Sequence, residues 1–330
     1  KEAKKALGKA TKALGAYNLD PSNNKDKLNE AQEAIVATLE LDAAKSMVKA
    51  WQTKGEIYNE IATQIVAAKQ LNLTTADNLP KVENPAIEAF EAFQKALELA
   101  EKKYLTTNAM KSITIANINL SNIGVFKYDE RDYSGAFENF RAVLKAHDIL
   151  KENGEDSSLD AEEDGYNNQM YITGLSALNA NRSGEAKELF EKLYEMNFDK
   201  PAIYEALYKI HSGNDEAKAY TYIEKGREKY PDDVSLLFAD INYHLKANKL
   251  DVLITKLQQA IEKEPDNVSL YSTMGNVYDN LYQKAQADGE EEKAQEYFDK
   301  ALNYYNQALE KKPDFFDAIY SIGALYYNKA

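Results

Sequence analysis

The sequence predicts an all-α fold of repeated helical hairpins, and three observations predict it. Pro231 and Pro265 lie 34 residues apart, and Pro265 and Pro313 lie 48 apart, one further period with 14 residues inserted. Proline cannot continue a helix and pushes the preceding residue towards extended geometry, so each of these marks a junction between units. The composition is rich in Leu, Ala, Glu and Lys, with only 7 Pro and 14 Gly, and no long run of alternating β-branched residues offers a strand. A fixed period of this size means one supersecondary unit used repeatedly, so the 330 residues read as one elongated domain rather than two globular ones.

Taken in order, residues 1–45 form a degenerate unit, opening on the amphipathic stretch that follows Lys1-Glu2-Ala3-Lys4-Lys5. The unit over 48–104 has Trp51, Gly55 and Tyr58 in its first helix and Ala89, Phe93 and Ala96 in its second. Between them lies an insertion in which residues 72–80 read as a loop. The unit 117–150 carries Leu120, Gly124, Ala136 and Phe140, and the unit 167–199 carries Met170, Gly174, Ala186 and Phe190 at the same spacing. Units 200–233 and 234–267 are looser, held by Ala219 with Pro231 and by Ala260 with Pro265. The unit 268–315 has Tyr271, Gly275, Tyr278, Ala301, Tyr305, Ala308 and Pro313 around its 14-residue insertion, and 316–330 begins another first helix with Ile319, Gly323 and Tyr326.

This pattern resembles the tetratricopeptide repeat family, whose 34-residue unit alternates large and small residues so that a bulky side chain on one helix fills the space left by a small one on its partner. The resemblance covers nearly the whole chain and is weakest over 1–45. It implies an α-solenoid, a right-handed superhelix of antiparallel hairpins. Fourteen residues are close to four helical turns, so the insertion after Gly275 adds about 10 Å to each helix without changing which face is apolar, and Ala287-Asp288-Gly289 becomes the tip of a projecting hairpin. The acidic stretch 152–158 reads as a linker before the helix that contains Met170.

Composition limits the function classes. A net charge of −14 opposes nucleic-acid phosphate and anionic lipid, so no nucleic-acid partner is expected. Absent cysteine rules out disulfides, thiolate metal sites and a catalytic thiol. No apolar stretch is long enough to span a membrane. The chain starts at Lys1 without Met and stops at Ala330 partway through a unit, which reads as a trimmed or processed chain whose export signal, if it had one, has gone. The Tyr- and Asn-rich, cysteine-free style and the extended last full hairpin look similar to exported bacterial members of the family, which implies a periplasmic or cell-surface location.

No enzyme constellation is found. Gly8-Lys9-Ala10-Thr11 lacks the upstream glycine and the strand of a phosphate-binding loop. His147, His211 and His244 form no His-x-x-x-His pair, although His211 and His244, 33 residues apart, could face each other on successive first helices. Asp156, Ser158 and Asp160 alternate as in a calcium loop, but Ala161 and Asn167 stand where such a loop needs glycine and glutamate. The acidic run 288–292 singles out no pair of carboxylates. Catalytic residues, metal ligands and cofactors are therefore expected to be none.

The resemblance implies that the working surface is the concave groove lined by first helices. Mapping the repeat positions places Tyr171, Leu175 and Leu178, then Tyr204, Tyr208 and His211, then Phe238, Asn242 and Leu245 on that wall. A shift of one residue in the two looser units would move Tyr204 and Phe238 into the core, and both registers stay open. The ends of the wall are polar, with Lys49, Gln52, Glu56 and Asn59 early and Ser269, Ser272, Asn276 and Asp279 late. No unit supplies the Lys with which co-chaperones of the family grip a C-terminal carboxylate. The expected function is a non-enzymatic scaffold holding a peptide or partner helix, with glycan or small-molecule binding through the groove tyrosines as the alternative. The last helix, with Ile319, Ile322, Tyr326 and Tyr327 on one face, is expected to favour self-association through 316–330.

Overall fold

In the computed structural model, which describes residues 1–71 and 79–329, every regular element among the described residues is helical. The loop expected over 72–80 falls for the most part on 72–78, outside the described residues. The chain divides into two compact units, Lys1–Met196 and Asn197–Ala330.

The first unit contains α1 (Glu2–Leu19), α2 (Lys25–Leu39), the single turn α3 (Asp42–Lys45), α4 (Val48–Gln70), α5 (Pro85–Glu98), α6 (Lys103–Asp129), α7 (Tyr133–Glu152), a 3-10 turn (Ser158–Ala161), α8 (Gly165–Asn179) and α9 (Ser183–Glu195). Helices pair as neighbours in sequence, α1 with α2, α4 with α5, α6 with α7 and α8 with α9. Residues 1–45 are thus a full hairpin, with Leu7, Leu14 and Tyr17 of α1 against Leu28, Ala31 and Ile35 of α2 in one buried cluster. Pro85 opens α5 at a position where its missing N–H leaves no helical bond unmade.

The second unit contains α10 (Pro201–His211), α11 (Glu216–Lys229), α12 (Val234–Lys246), α13 (Leu250–Lys263), α14 (Val268–Ala287), α15 (Glu291–Lys311) and α16 (Phe316–Lys329). The pairs here are α10 with α11, α12 with α13 and α14 with α15. Helices α14 and α15, of 20 and 21 residues, are each 7 longer than α12 and α13, so the inserted residues are shared equally by two helices. Gly289 closes their turn with φ 74.

Why these sequences form hairpins in this register is visible at four glycines. A methyl group built on Gly55, Gly124, Gly174 or Gly275 would lie 2.3, 2.5, 3.1 and 2.4 Å from the ring of Phe93, Phe140, Phe190 and Tyr305 respectively. Each ring belongs to the second helix of the same hairpin and fills the hole its glycine leaves; Phe140, Phe190 and Tyr305 are completely or almost completely buried. Tight turns between the helices use left-handed residues, Arg131, Asn181 and Asn248 at φ 63, 60 and 53 and Gly213 at φ 89, a conformation that ends a helix by satisfying its last carbonyls. The helix that follows is often capped by an acidic side chain: Asp132 accepts from the Gly135 N–H and Asp215 from the Lys218 N–H.

Helix α6 exceeds what the repeat pattern places there. It begins 14 residues ahead of the unit 117–150, and Ala109, Met110 and Ile113 of its added turns are buried. It is bolted to α4 through Asn119, whose Nδ2 donates to Asn59 Oδ1 and Thr63 Oγ1, both at 2.9 Å.

Candidate functional site

The site is built where the α7 to α8 connection departs from a tight turn. Ser157 and Asp160 form a reciprocal cap on the 3-10 turn, the Ser157 hydroxyl accepting from Leu159 N–H at 3.0 Å and the Asp160 carboxylate accepting from Ser157 N–H at 2.7 Å. That backbone donor, helped by Lys151 at 3.1 Å, holds the Asp160 carboxyl below the usual carboxylate range. The turn is tied to its surroundings at two further points. Buried Asn117 of α6 donates from Nδ2 to Ser158 Oγ at 3.0 Å, and His147 Nδ1 of α7 lies 2.8 Å from Ser157 Oγ. Leu159 packs against the core, and its carbonyl oxygen comes 2.2 Å from where a side chain on Gly165 would begin. Only glycine at the start of α8 allows the turn to sit this close.

The anchored turn forms one bank of an open cleft of about 480 Å³. Its apolar lining is Tyr128 of α6, Leu159 of the turn, and Tyr171, Ile172 and Leu175 of α8, with Asn168, Gln169 and Glu162 as polar edges. Tyr171 leans edge-on against Phe190, the ring that fills the Gly174 hole, at 6.2 Å and 79°, so the core sets its orientation. Gln169 Nε2 has no hydrogen-bond partner among the described residues, an amide donor beside the cleft that a ligand carbonyl could satisfy. Along α6 the surface leading to Tyr128 carries Ile115, Ile118 and Val125, all exposed. Isolated exposed apolar residues need no explanation, but three on one helix leading into a cleft form a patch.

Of the residues placed on the wall from the sequence, Tyr171 and Leu175 line this cleft, and Leu178 is half-buried on the same helix outside its lining. In the second unit the placement is corrected. Tyr208 is buried in a cluster with Ala219, Ile223, Leu236 and Ala239, because α12 packs over α10. His211 is buried and stacked on Tyr222 at 5.5 Å. Tyr204 is half-buried against the same cluster, edge-on to Tyr230, and Phe238 is half-buried against the neighbouring core. Asn242 and Leu245 alone of this set are exposed. The short turn from Tyr230 to Asp233 brings α12 down on α10, and the aromatic faces that the repeat mapping assigns to a groove are used for packing.

His244 Nε2 lies 3.0 Å from the Tyr220 hydroxyl and 3.2 Å from Asp240 Oδ1, and Lys256 completes the cluster at 2.5 Å from Asp240 Oδ2. Burial pushes the His244 imidazole below its ordinary value, and burial followed by Asp240 raises the Tyr220 phenol. Among the described residues no group of three His, Cys, Asp or Glu side chains is arranged to hold a metal ion, and no helix is long and apolar enough to cross a membrane. Asp156, a member of the alternating acidic set, points to solvent beside Lys151.

The sequence reasoning missed Tyr128, Leu159, Asn168 and Gln169. Tyr128 and Asn168 were within reach, since Tyr128 occupies the wall position that the mapping gives to Leu178 and Asn168 the one it gives to Lys49 and Ser269. Leu159 had no signal, because it enters the site only through the folded turn.

No protein-family model matches the chain. Solved structures similar to it include tetratricopeptide repeat proteins. One is YrrB, described as a TPR protein with an unusual peptide-binding site, 17% identical, with 70% of this chain and 98% of that one covered and a TM-score of 0.43. Another is a tetratricopeptide repeat protein from Parabacteroides merdae, 13% identical over 98% of this chain and 99% of that one, with a TM-score of 0.36. A third is the human IFIT1 dimer with m7Gppp-AAAA, 17% identical over 92% of this chain and 61% of that one, with a TM-score of 0.39.

Proposed function

We propose that this chain of tetratricopeptide-like hairpins is a non-enzymatic scaffold that captures an extended peptide or a partner helix on the first-helix face of its first unit. The observation that carries this reading is the cleft between the anchored 3-10 turn and α8, in which Tyr128, Tyr171 and Leu175 meet beside the unpartnered Gln169 amide. Tyrosines give large contact area at low entropic cost and a hydroxyl for a backbone group, while the apolar approach along α6 extends the surface to the length a peptide needs. The residues of α10 and α12 serve as support for their own unit.

A displayed peptide library panned on the intact chain tests this. Enriched sequences with aromatic or branched aliphatic anchors, bound at least tenfold more weakly by a Tyr171→Ser/Leu175→Ser variant of unchanged helicity, support it. No enrichment, or equal binding by the variant, overturns it. A melting-temperature rise with an oligosaccharide panel, lost in the same variant, would instead favour glycan stacking on Tyr128 and Tyr171.

Self-association through 316–330 belongs to the same proposal. On α16, Phe316, Ile319, Tyr320, Tyr326 and Tyr327 are exposed, whereas Ile322 packs against the core and Tyr326 touches Phe298 edge-on. Sedimentation at rising concentration should show association that a Tyr320→Glu/Tyr327→Glu variant loses; a monomer throughout would refute it.

A further inference from the structure

A second cleft lies in the first unit, between α1 and the start of α4. It has a volume of about 490 Å³ and is lined by Lys4, Leu7, Gly8, Thr11, Lys12, Met47 and Lys49. Three of these residues are cations and none is a carboxylate. All three lysines are exposed, and none makes an ion pair or side-chain hydrogen bond among the described residues. The floor is apolar, from buried Leu7 and half-buried Met47, and open above Gly8, where an added side chain would meet nothing within 4 Å. The first twelve residues hold five lysines and one glutamate in a chain of net charge −14, so positive charge is concentrated at this end against the trend of the whole molecule.

This basic cleft is linked to the apolar strip of α6 through α4. Lys49 is followed one turn on by Gln52 of α4, whose Nε2 donates to Ser112 Oγ of α6 at 2.8 Å and to Glu56 at 3.0 Å. Ser112 is three residues before Ile115, where the exposed apolar strip towards Tyr128 starts. Glu56, bonded to Gln52, places a carboxylate between the lysines and this strip.

We infer that the first unit selects a peptide segment of mixed character, with a cluster of Asp or Glu side chains seated on Lys4, Lys12 and Lys49 and aliphatic or aromatic side chains seated on α6 and α8. The inference rests on the peptide-capture reading and specifies its ligand. Unpaired lysines over an apolar floor suit carboxylates on flexible side chains, since an ammonium is a compact point charge with rotatable donors that imposes no fixed geometry on its anion. Exposure makes the contribution of each lysine small and sensitive to salt, so the basic end supplies orientation and encounter rate, and the apolar end supplies residence.

The probe is a synthetic dodecapeptide with four glutamates at one end and Leu, Tyr and Leu towards the other, compared with the same peptide carrying Gln for Glu, by fluorescence anisotropy at 50 and 300 mM salt. At low salt the acidic peptide is expected to bind roughly tenfold more tightly than the Gln peptide, an advantage that shrinks at high salt. A Lys4→Gln/Lys12→Gln/Lys49→Gln variant should reduce it to the level of the Gln peptide, and the corresponding Lys→Arg variant should retain it. Equal binding of the two peptides, or no effect of the Gln variant, overturns the inference. If the Gln peptide still binds and Tyr171→Ser/Leu175→Ser abolishes that binding, peptide capture stands while the acidic assignment falls; failure of both peptides removes the assignment as well. Displacement of the acidic peptide by millimolar inorganic phosphate would identify a general anion site, and a dimer lost in the Gln variant would identify a second copy as the occupant; either result overturns it.

Discussion

The two units place the same repeat positions in opposite environments. In the first, Leu175 lines an open cleft; in the second, Tyr208 at the equivalent position is buried, as is His211, whose counterpart Leu178 is half-buried. The difference lies in the connections. Between α7 and α8 the chain makes a 3-10 turn that packs on the start of α8 and forms one bank of an open cleft beside it, whereas between α11 and α12 it turns within a few residues and α12 closes over α10. A repeat position therefore specifies a direction on its helix, and the neighbouring connection decides whether anything blocks it.

The largest expected effect comes from exchanging these roles. Tyr208→Ser removes a buried ring and should cost about 3 to 5 kcal/mol, while Tyr171→Ser should cost about 1 kcal/mol and act on ligand binding. Chemical denaturation of both variants beside a peptide titration checks this, and similar costs would erase the contrast between the units. Next, Gly165→Ala should push the Leu159 carbonyl away and destabilise the first unit by about 1 to 3 kcal/mol. Hydrogen exchange should then report faster opening around 157–161 with α10 to α16 unchanged. Asn117→Ala removes the bond to Ser158 and should cost about 1 kcal/mol, with weaker peptide binding as the bank of the cleft loosens.

The smallest effect is one of pH and sharpens the comparison from the other side. Burial lowers the His244 value below 6.5, against the opposing pull of Asp240, with Lys256 and Lys249 adding to the lowering, Glu224 opposing it, and Tyr220 and Tyr243 packed on the ring. Below 6.5 the unfolded chain takes up a proton that the folded chain refuses. Stability from this group is thus complete above that pH and declines as pH falls towards the folded value. Melting curves at pH 7.5 and 5.5 should show a loss in the second unit that His244→Gln reduces.

Much of the fold was legible in residues whose physics is local. Gly124 with Phe140 and Gly174 with Phe190 announce their pairing by spacing, because a hole and the ring that fills it recur at the same separation in hairpins that carry no insertion. The N-terminal half of α6 was not legible. It exposes Ile115 and Ile118 while burying Ala109, Met110 and Ile113, so apolar residues surround the helix and blur the one-sided pattern from which a repeat is read. The groove of the second unit was misplaced for a related reason: aromatic residues at helical spacing look alike whether they face a partner helix or a ligand.

By itself the sequence determined that the chain is helical and built from repeated hairpins in which small residues face large ones, since these follow from backbone propensity and from steric pairing at short separation. Only the tertiary structure decided which aromatic faces stay open, that Leu159 joins Tyr128 and Tyr171, and that Lys4, Lys12 and Lys49 share one cleft. Those outcomes depend on how connections of different length set one helix down against another, and no spacing within a single helix encodes that distance.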